Sequence, residues 1–199
     1  MDGHITPMTK VSNREKILTA GLQVVHEHGF AGASVRDIVQ AAGVPQGSFT
    51  NHFVSKEAFG LEILDLYFQQ SLALFAETLR NDARPPLERL GAFLDANIER
   101  VSGEGVCNGC MIGNFAAESS DSSKIRPRLA EIFGEVRDAI SSCLQAAVAA
   151  GDVRADLDCD DIAAFLVTAL QGANLLAKVE RSAEPMRRVK RITLDKLLR

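Results

Sequence analysis

Apolar residues recur along most of the chain at three- and four-residue spacing, and no window alternates at period two through a β-branched run. That pattern predicts an all-α protein. Ser12-Asn13-Arg14-Glu15 fits a capping box, and Ile17, Leu18, Leu22, Val24 and Val25 follow at helical spacing. His28-Gly29 marks where that helix ends. A second box, Ser34-Val35-Arg36-Asp37, opens a short helix through Ile38, Val39 and Ala42, and Gly43 stops it. Pro45 suits the first position of a third helix running to about Phe53. Ser55 caps a long fourth helix, about 56–80, before the breaker Asn81-Asp82-Ala83-Arg84-Pro85-Pro86. Further helices are expected at about 87–101, 110–119, 123–150, 158–181 and 184–198. A polar arm, residues 1–11, precedes them all and reads as flexible.

The 199 residues are 46% hydrophobic and 24% charged, enough for one or two domains with cores of their own. The net charge of −4 excludes a uniformly basic coat but not a local DNA-reading face. The first 58 residues balance five acids with five bases, and all four histidines lie within residues 1–53, so the acidic excess belongs to the remainder. The most apolar uncharged stretch, 163–177, contains Thr168, Gln171 and Asn174 and is shorter than the roughly 20 residues of a spanning helix. Four cysteines are too few for a disulfide scaffold, and the first ten residues hold no apolar leader. A cytoplasmic protein with reduced thiols and no membrane segment is expected.

The second and third short helices, joined at Gly43-Val44, describe a helix-turn-helix. Gln46, Ser48, Thr50, Asn51 and His52 give the third helix a polar outer face, and Phe49 and Phe53 an inner one. Such side chains read base edges or phosphate oxygens, and Gly47 permits close backbone approach to a duplex. An ordinary helical hairpin would share the bare pattern.

The full string is more specific. Arg14-Glu15-Lys16-Ile17-Leu18, Gly29-Phe30, Ser34-Val35-Arg36-Asp37-Ile38, Ala41-Ala42-Gly43-Val44, Gly47-Ser48-Phe49 and His52-Phe53-x-Ser55-Lys56-Glu57 resemble the DNA-binding domain of the TetR family of transcriptional regulators. The resemblance implies that Arg36 reaches a base edge or phosphate. It implies that Gln46, Gly47, Ser48, Asn51 and His52 face the groove and that Lys56 contacts phosphate. Thr50 departs from the family's usual tyrosine, leaving a shorter hydroxyl, and Pro45 replaces its commoner serine cap. Residues 12–58 are thus expected to bind DNA and residues 59–199 to form the ligand-binding and dimerisation body.

In that body, Phe68, Phe75, Phe93, Met111, Phe115 and Phe133, with Cys110 and Asn114, are the candidate effector pocket, although such aromatics serve a core first. The resemblance implies a four-helix homodimer interface, here using Phe165, Leu166, Leu170, Gly172 and Leu175. Cys107-Asn108-Gly109-Cys110 admits three readings: small half-buried residues at a helix start, a zinc site completed by Cys143 and Cys159, or a thiol sensor of electrophiles. In the last, Cys110 reacts and Cys107 resolves. No nucleophile elbow, metal-protease motif or phosphate loop is present, so no enzyme and no cofactor is expected. The reading is a homodimeric repressor that leaves a palindromic double-stranded operator when a small-molecule effector arrives. The alternative is a helical protein-interaction adaptor whose N-terminal unit does not read DNA.

Overall fold

A computed structural model describes residues 11–102, 108–120 and 123–199. The predicted arm, Val11 apart, and Cys107 lie outside them. The described residues form helices and no strands. The chain divides into two compact units, one ending at Ile63 and the other running from Leu64 to Arg199.

The first unit holds α1 (Asn13–Gly32), α2 (Val35–Ala41), α3 (Gly47–His52) and the start of α4 (Lys56–Glu77). Both predicted capping boxes are present: Ser12 pairs with Glu15, and Ser34 with Asp37. These serines pull the Glu15 and Asp37 carboxyls below their usual range, because hydrogen bonding favours the ionised form. Helix α1 breaks at the predicted Gly29, whose φ of 76° and ψ of 163° suit glycine alone, and a further turn carries it to Gly32. The core centres on a triangle of rings. Phe49, Phe53 and Phe59 stand 5.1–5.2 Å apart, centroid to centroid, with Ile17, Ile38 and Ile63 also fully buried. Each such side chain contributes about 1.5–3 kcal/mol on burial. The division expected between residues 58 and 59 assigned Phe59 to the larger body. Its ring instead closes the first unit's core, since Gly21 on α1 leaves space against it.

The second unit contains the rest of α4, then α5 (Pro86–Arg100), α6 (Met111–Glu118), α7 (Ile125–Ala150), α8 (Cys159–Glu180) and α9 (Glu184–Ile192). The stretch expected to continue α9 to Leu198 instead widens into a π-helical turn, Thr193–Leu197. Helix α7 packs on α5 and α8, and α9 packs on α8 and α5. Phe68, Phe75 and Phe93 form an edge-to-face row at 6.3 and 5.8 Å. Arg128 of α7 lies over Phe68 and reaches Asp65 of α4 at 2.7 Å, with Glu131 at 3.0 Å and Glu135 at 3.3 Å. Those carboxylates hold its guanidinium firmly protonated.

Candidate nucleic-acid interface

The turn before α3 is built by Gly43, with φ of +63°, and by backbone bonds from Gly43 N to Gln40 O and Val44 N to Val39 O, both 3.1 Å. Ser48 N then bonds Pro45 O at 2.9 Å, so the helical turn begins at proline although regular α3 starts at Gly47. Phe49 and Phe53 fix the helix from behind.

Gln46, Gly47, Thr50, Asn51 and His52 are exposed, as is Arg36 on α2. Ser48 is not. At 8% exposure it lies on the inner side beside Phe49, which corrects its placement in the groove-facing set. The Thr50 hydroxyl donates to Gly47 O at 3.1 Å, which commits its proton within the helix. Lys56 sits half-buried, its ammonium 3.3 Å from Ala31 O and 4.9 Å from the Phe30 ring centre, and is thereby fixed at the start of α4. Gly47 answers no demand of the fold: its φ is ordinary, and a Cβ there would meet nothing within 4 Å.

Bacterial regulatory proteins of the tetR family match residues 17–63, and the Tetracyclin repressor-like C-terminal domain matches residues 86–193. The chain belongs to the TetR family. Family members are transcriptional regulators rather than enzymes, and this TetR-family chain is one of them. It is 38% identical over 192 residues to the HTH-type transcriptional repressor DhaR of Mycobacterium sp. strain GP1, covering 96% of this chain and 95% of that one. It is 30% identical over 181 residues to the transcriptional repressor NemR of Escherichia coli K12, covering 89% and 90%. The crystal structure of a regulatory protein TetR from Rhodobacter sphaeroides superposes with a TM-score of 0.84 at 28% identity, over 90% of this chain and 95% of that one.

In the regulator's larger unit, the predicted effector residues separate. Phe68, Phe75, Phe93, Met111 and Phe115 are buried core, and Phe133 is half-buried. Cys110 and Asn114 line a small cavity of about 40 Å³ with Gly109, Gly113, Gln171 and Lys178. Cys110 caps the N-terminus of α6, half-buried, and its carbonyl accepts from Asn114 N at 2.9 Å. A Cβ on Gly113 would stand 2.7 Å from Oε1 of Gln171, the far end of a flexible side chain on α8.

The Tyr67 hydroxyl oxygen accepts from Arg100 Nη2 at 2.6 Å and from the Met111 backbone N–H. Burial raises the Tyr67 phenol above its usual range, and the charge of Cys110 raises it further. Positions 67, 100 and 110 share no spacing that a motif could display.

Among the described residues no group of three or more metal-binding side chains assembles. Burial raises the Cys143 thiol, which donates to Pro86 O at 3.3 Å. Burial, then the Asp160 and Asp158 charges, raises Cys159.

The predicted interface residues on α8 divide between two faces. Phe165, Gly172 and Leu175 are exposed, joined by Leu176 and Val179. Leu166 and Leu170 are buried within the unit, which removes them from the outward face. The exposed set Asp161, Phe165, Thr168, Gly172, Leu175 and Val179 steps by four and three in alternation, the seam spacing of packed helices. Helix α8 is also long and apolar enough to cross a membrane by length and composition.

Proposed function

We propose that this TetR-family regulator acts in the cytoplasm as a homodimeric repressor. Two copies insert α3 into successive major grooves of a roughly palindromic operator, about 34–36 Å apart. The observation that supports this most directly is the α3 face: Gln46, Gly47, Thr50, Asn51 and His52 stand exposed on a helix pinned by two buried phenylalanines. Gln46 and Asn51 suit base edges, Arg36 a base or phosphate, and Lys56 a phosphate. The unit ending at Ile63 thus reads DNA, and the unit from Leu64 to Arg199 binds effector and partner. The outward stripe Phe165, Gly172 and Leu175 on α8 is the dimer seam. A partner subunit explains it better than lipid does, because the stripe is one-sided and includes Asp161, Thr168 and Gly172.

The effector is an electrophile that modifies Cys110, a free, half-buried thiol at the N-cap of α6. Cys107 is its proposed resolving partner. An effector favouring a conformer with different α3 separation lowers operator affinity by its differential binding. Gel shifts with a duplex selected by this chain from a random pool test both parts. We expect a sequence-specific, strongly salt-dependent complex that a reactive aldehyde dissolves in wild type but not in Cys110→Ser. Indifference of the folded protein to every duplex in the pool would favour the adaptor reading. Equal release in the two proteins would remove Cys110 from the mechanism.

A further inference from the structure

Helix α8 and its flanks are charged at both ends and uncharged between. Residues 152–161 hold five aspartates against one arginine, residues 178–191 hold six bases against two glutamates, and the sixteen residues 162–177 carry no charge. Asp158, Asp160 and Asp161 at one end, and Lys178, Arg181, Arg187 and Arg188 at the other, are exposed. The helix dipole favours acids in the first turn and bases in the last, which accounts for Asp160, Asp161 and Lys178. Its influence fades before Asp152 and Asp156, which precede the helix, and before Arg187 and Arg188, which follow it. Among the described residues no ion pair engages Asp161, Arg181, Arg187 or Arg188. Midway along the outward stripe stands Gly172. Its φ is ordinary and a Cβ there would meet nothing within 4 Å, so the unit itself does not require glycine, although glycine weakens a helix interior. Phe165 and Val179, both exposed, lie seven residues to either side of it, about two helical turns.

A two-fold interface is self-complementary, each patch meeting its own copy. Parallel α8 helices would set aspartates against aspartates and bases against bases. Antiparallel helices set opposite charges together at both ends. We propose that a second copy lies antiparallel on this stripe, with the two-fold axis at Gly172, so that the acidic start of each α8 faces the basic end of the other. Phe165 then meets the partner subunit's Val179. Asp161 lies eleven residues from Gly172 and Arg181 nine, an offset of about 3 Å along the helix, so Asp161 is within reach of Arg181 of the partner subunit. The missing side chain at 172 lets the two backbones approach where they cross. This rests on α8 being the dimer seam, as proposed above, and adds its polarity, its register and the charges by which the chain selects its own copy.

The dimer Kd of the full chain is measured by sedimentation at low and high salt. Asp161→Arg and Arg181→Asp, each alone, set like charges together at both ends of the interface, and aspartate tolerates the φ of 47° at position 181. Each should raise Kd at least about tenfold at low salt, and by less at high salt, where repulsion is screened. The double variant, and an equimolar mixture of the two single variants, restore opposite pairs and should dimerise within about threefold of wild type. Damage to the fold of either chain would not be repaired by mixing. A cysteine test needs no change of charge. Under copper-phenanthroline oxidation, Phe165→Cys with Val179→Cys in one chain should give a disulfide-linked dimer well above the wild-type background. Either substitution alone should not, because each position stands about 21 Å from its own copy. If Phe165→Cys alone cross-links to itself, or the charge reversals leave intact a dimer that Val179→Glu breaks, the seam stands and the antiparallel register is wrong. If wild type is monomeric, or its dimer survives every one of these changes, the seam itself fails. Should a charge reversal prevent folding, the cysteine pair decides.

Discussion

Gly47 separates recognition from folding more cleanly than any other residue of α3. Nothing within the protein requires glycine there, and alanine favours helix by up to about 1 kcal/mol. Gly47→Ala is therefore expected to keep or slightly raise the melting temperature while weakening operator binding by roughly tenfold, ~1.4 kcal/mol. Unchanged binding in a gel shift would mean the backbone at 47 never approaches the duplex. Lys56→Ala should weaken all duplexes alike and reduce the salt slope by about one. Asn51→Ala should instead change which base is preferred, at a cost of about 1–3 kcal/mol. Both outcomes are read from binding isotherms at several salt concentrations on the selected duplex and its point variants. The exposure of most of the proposed groove-facing set was legible in sequence because polar type and helical phase agreed there. That of Ser48 was not, since serine fits either environment. Titration adds a pH expectation. The folded state holds the protons of Cys143 and Tyr67 more tightly than the unfolded chain does. Their contribution is complete below the ordinary thiol and phenol values of 9.0 and 10.0 and is lost as pH rises through the raised ones. Urea midpoints should fall steadily above about pH 9.

Elements were legible where a cap or breaker marks them. Ser12, Ser34, Gly43, Pro86 and Gly151 set helix ends within a few residues of where their chemistry places them, because each supplies or removes a specific backbone bond. The π-helical turn at Thr193–Leu197 carries no such marker and reads in sequence as more of α9. Packing between elements was less legible still. Gly21 looks like an unfavourable residue inside α1, yet its missing Cβ is what admits the Phe59 ring. That ring is enclosed by Phe49 and Phe53 and cannot retreat. Overpacking of about 1–3 kcal/mol therefore outweighs the gain in helix propensity of up to about 1 kcal/mol. Gly21→Ala should lower the thermal midpoint by several degrees; a higher midpoint would mean the ring triangle is looser than its spacing suggests. Tyr67 and Arg100 illustrate the same limit: they are 33 residues apart and neighbours only once α4 and α5 have folded.

At the level of the molecule, recognition of a two-fold operator requires a two-fold protein. Leu175 is 65% exposed and Val179 74%, which leaves the proposed α8 seam open to a second copy. Val179→Glu is expected to yield monomers by light scattering and, with only one half-site engaged at a time, to weaken operator binding by orders of magnitude while the isolated chain still melts cooperatively. A dimer that survived this change would place the seam elsewhere. The pattern of α8 was visible in sequence as one broad apolar band, but its division into inner and outer stripes depends on where α7 and α9 lie. Leu166, Leu170, Ala173 and Ala177 fill the interior while Phe165, Leu175 and Val179 look outward, so one rod of 22 residues carries two interlocked codes. Inserting or deleting a single residue midway along it would rotate everything downstream by about 100°. Leucines meant for the interior would then swing toward solvent just as the proposed self-association edge turned sideways, so a frame change in this helix could not harm one role and spare the other.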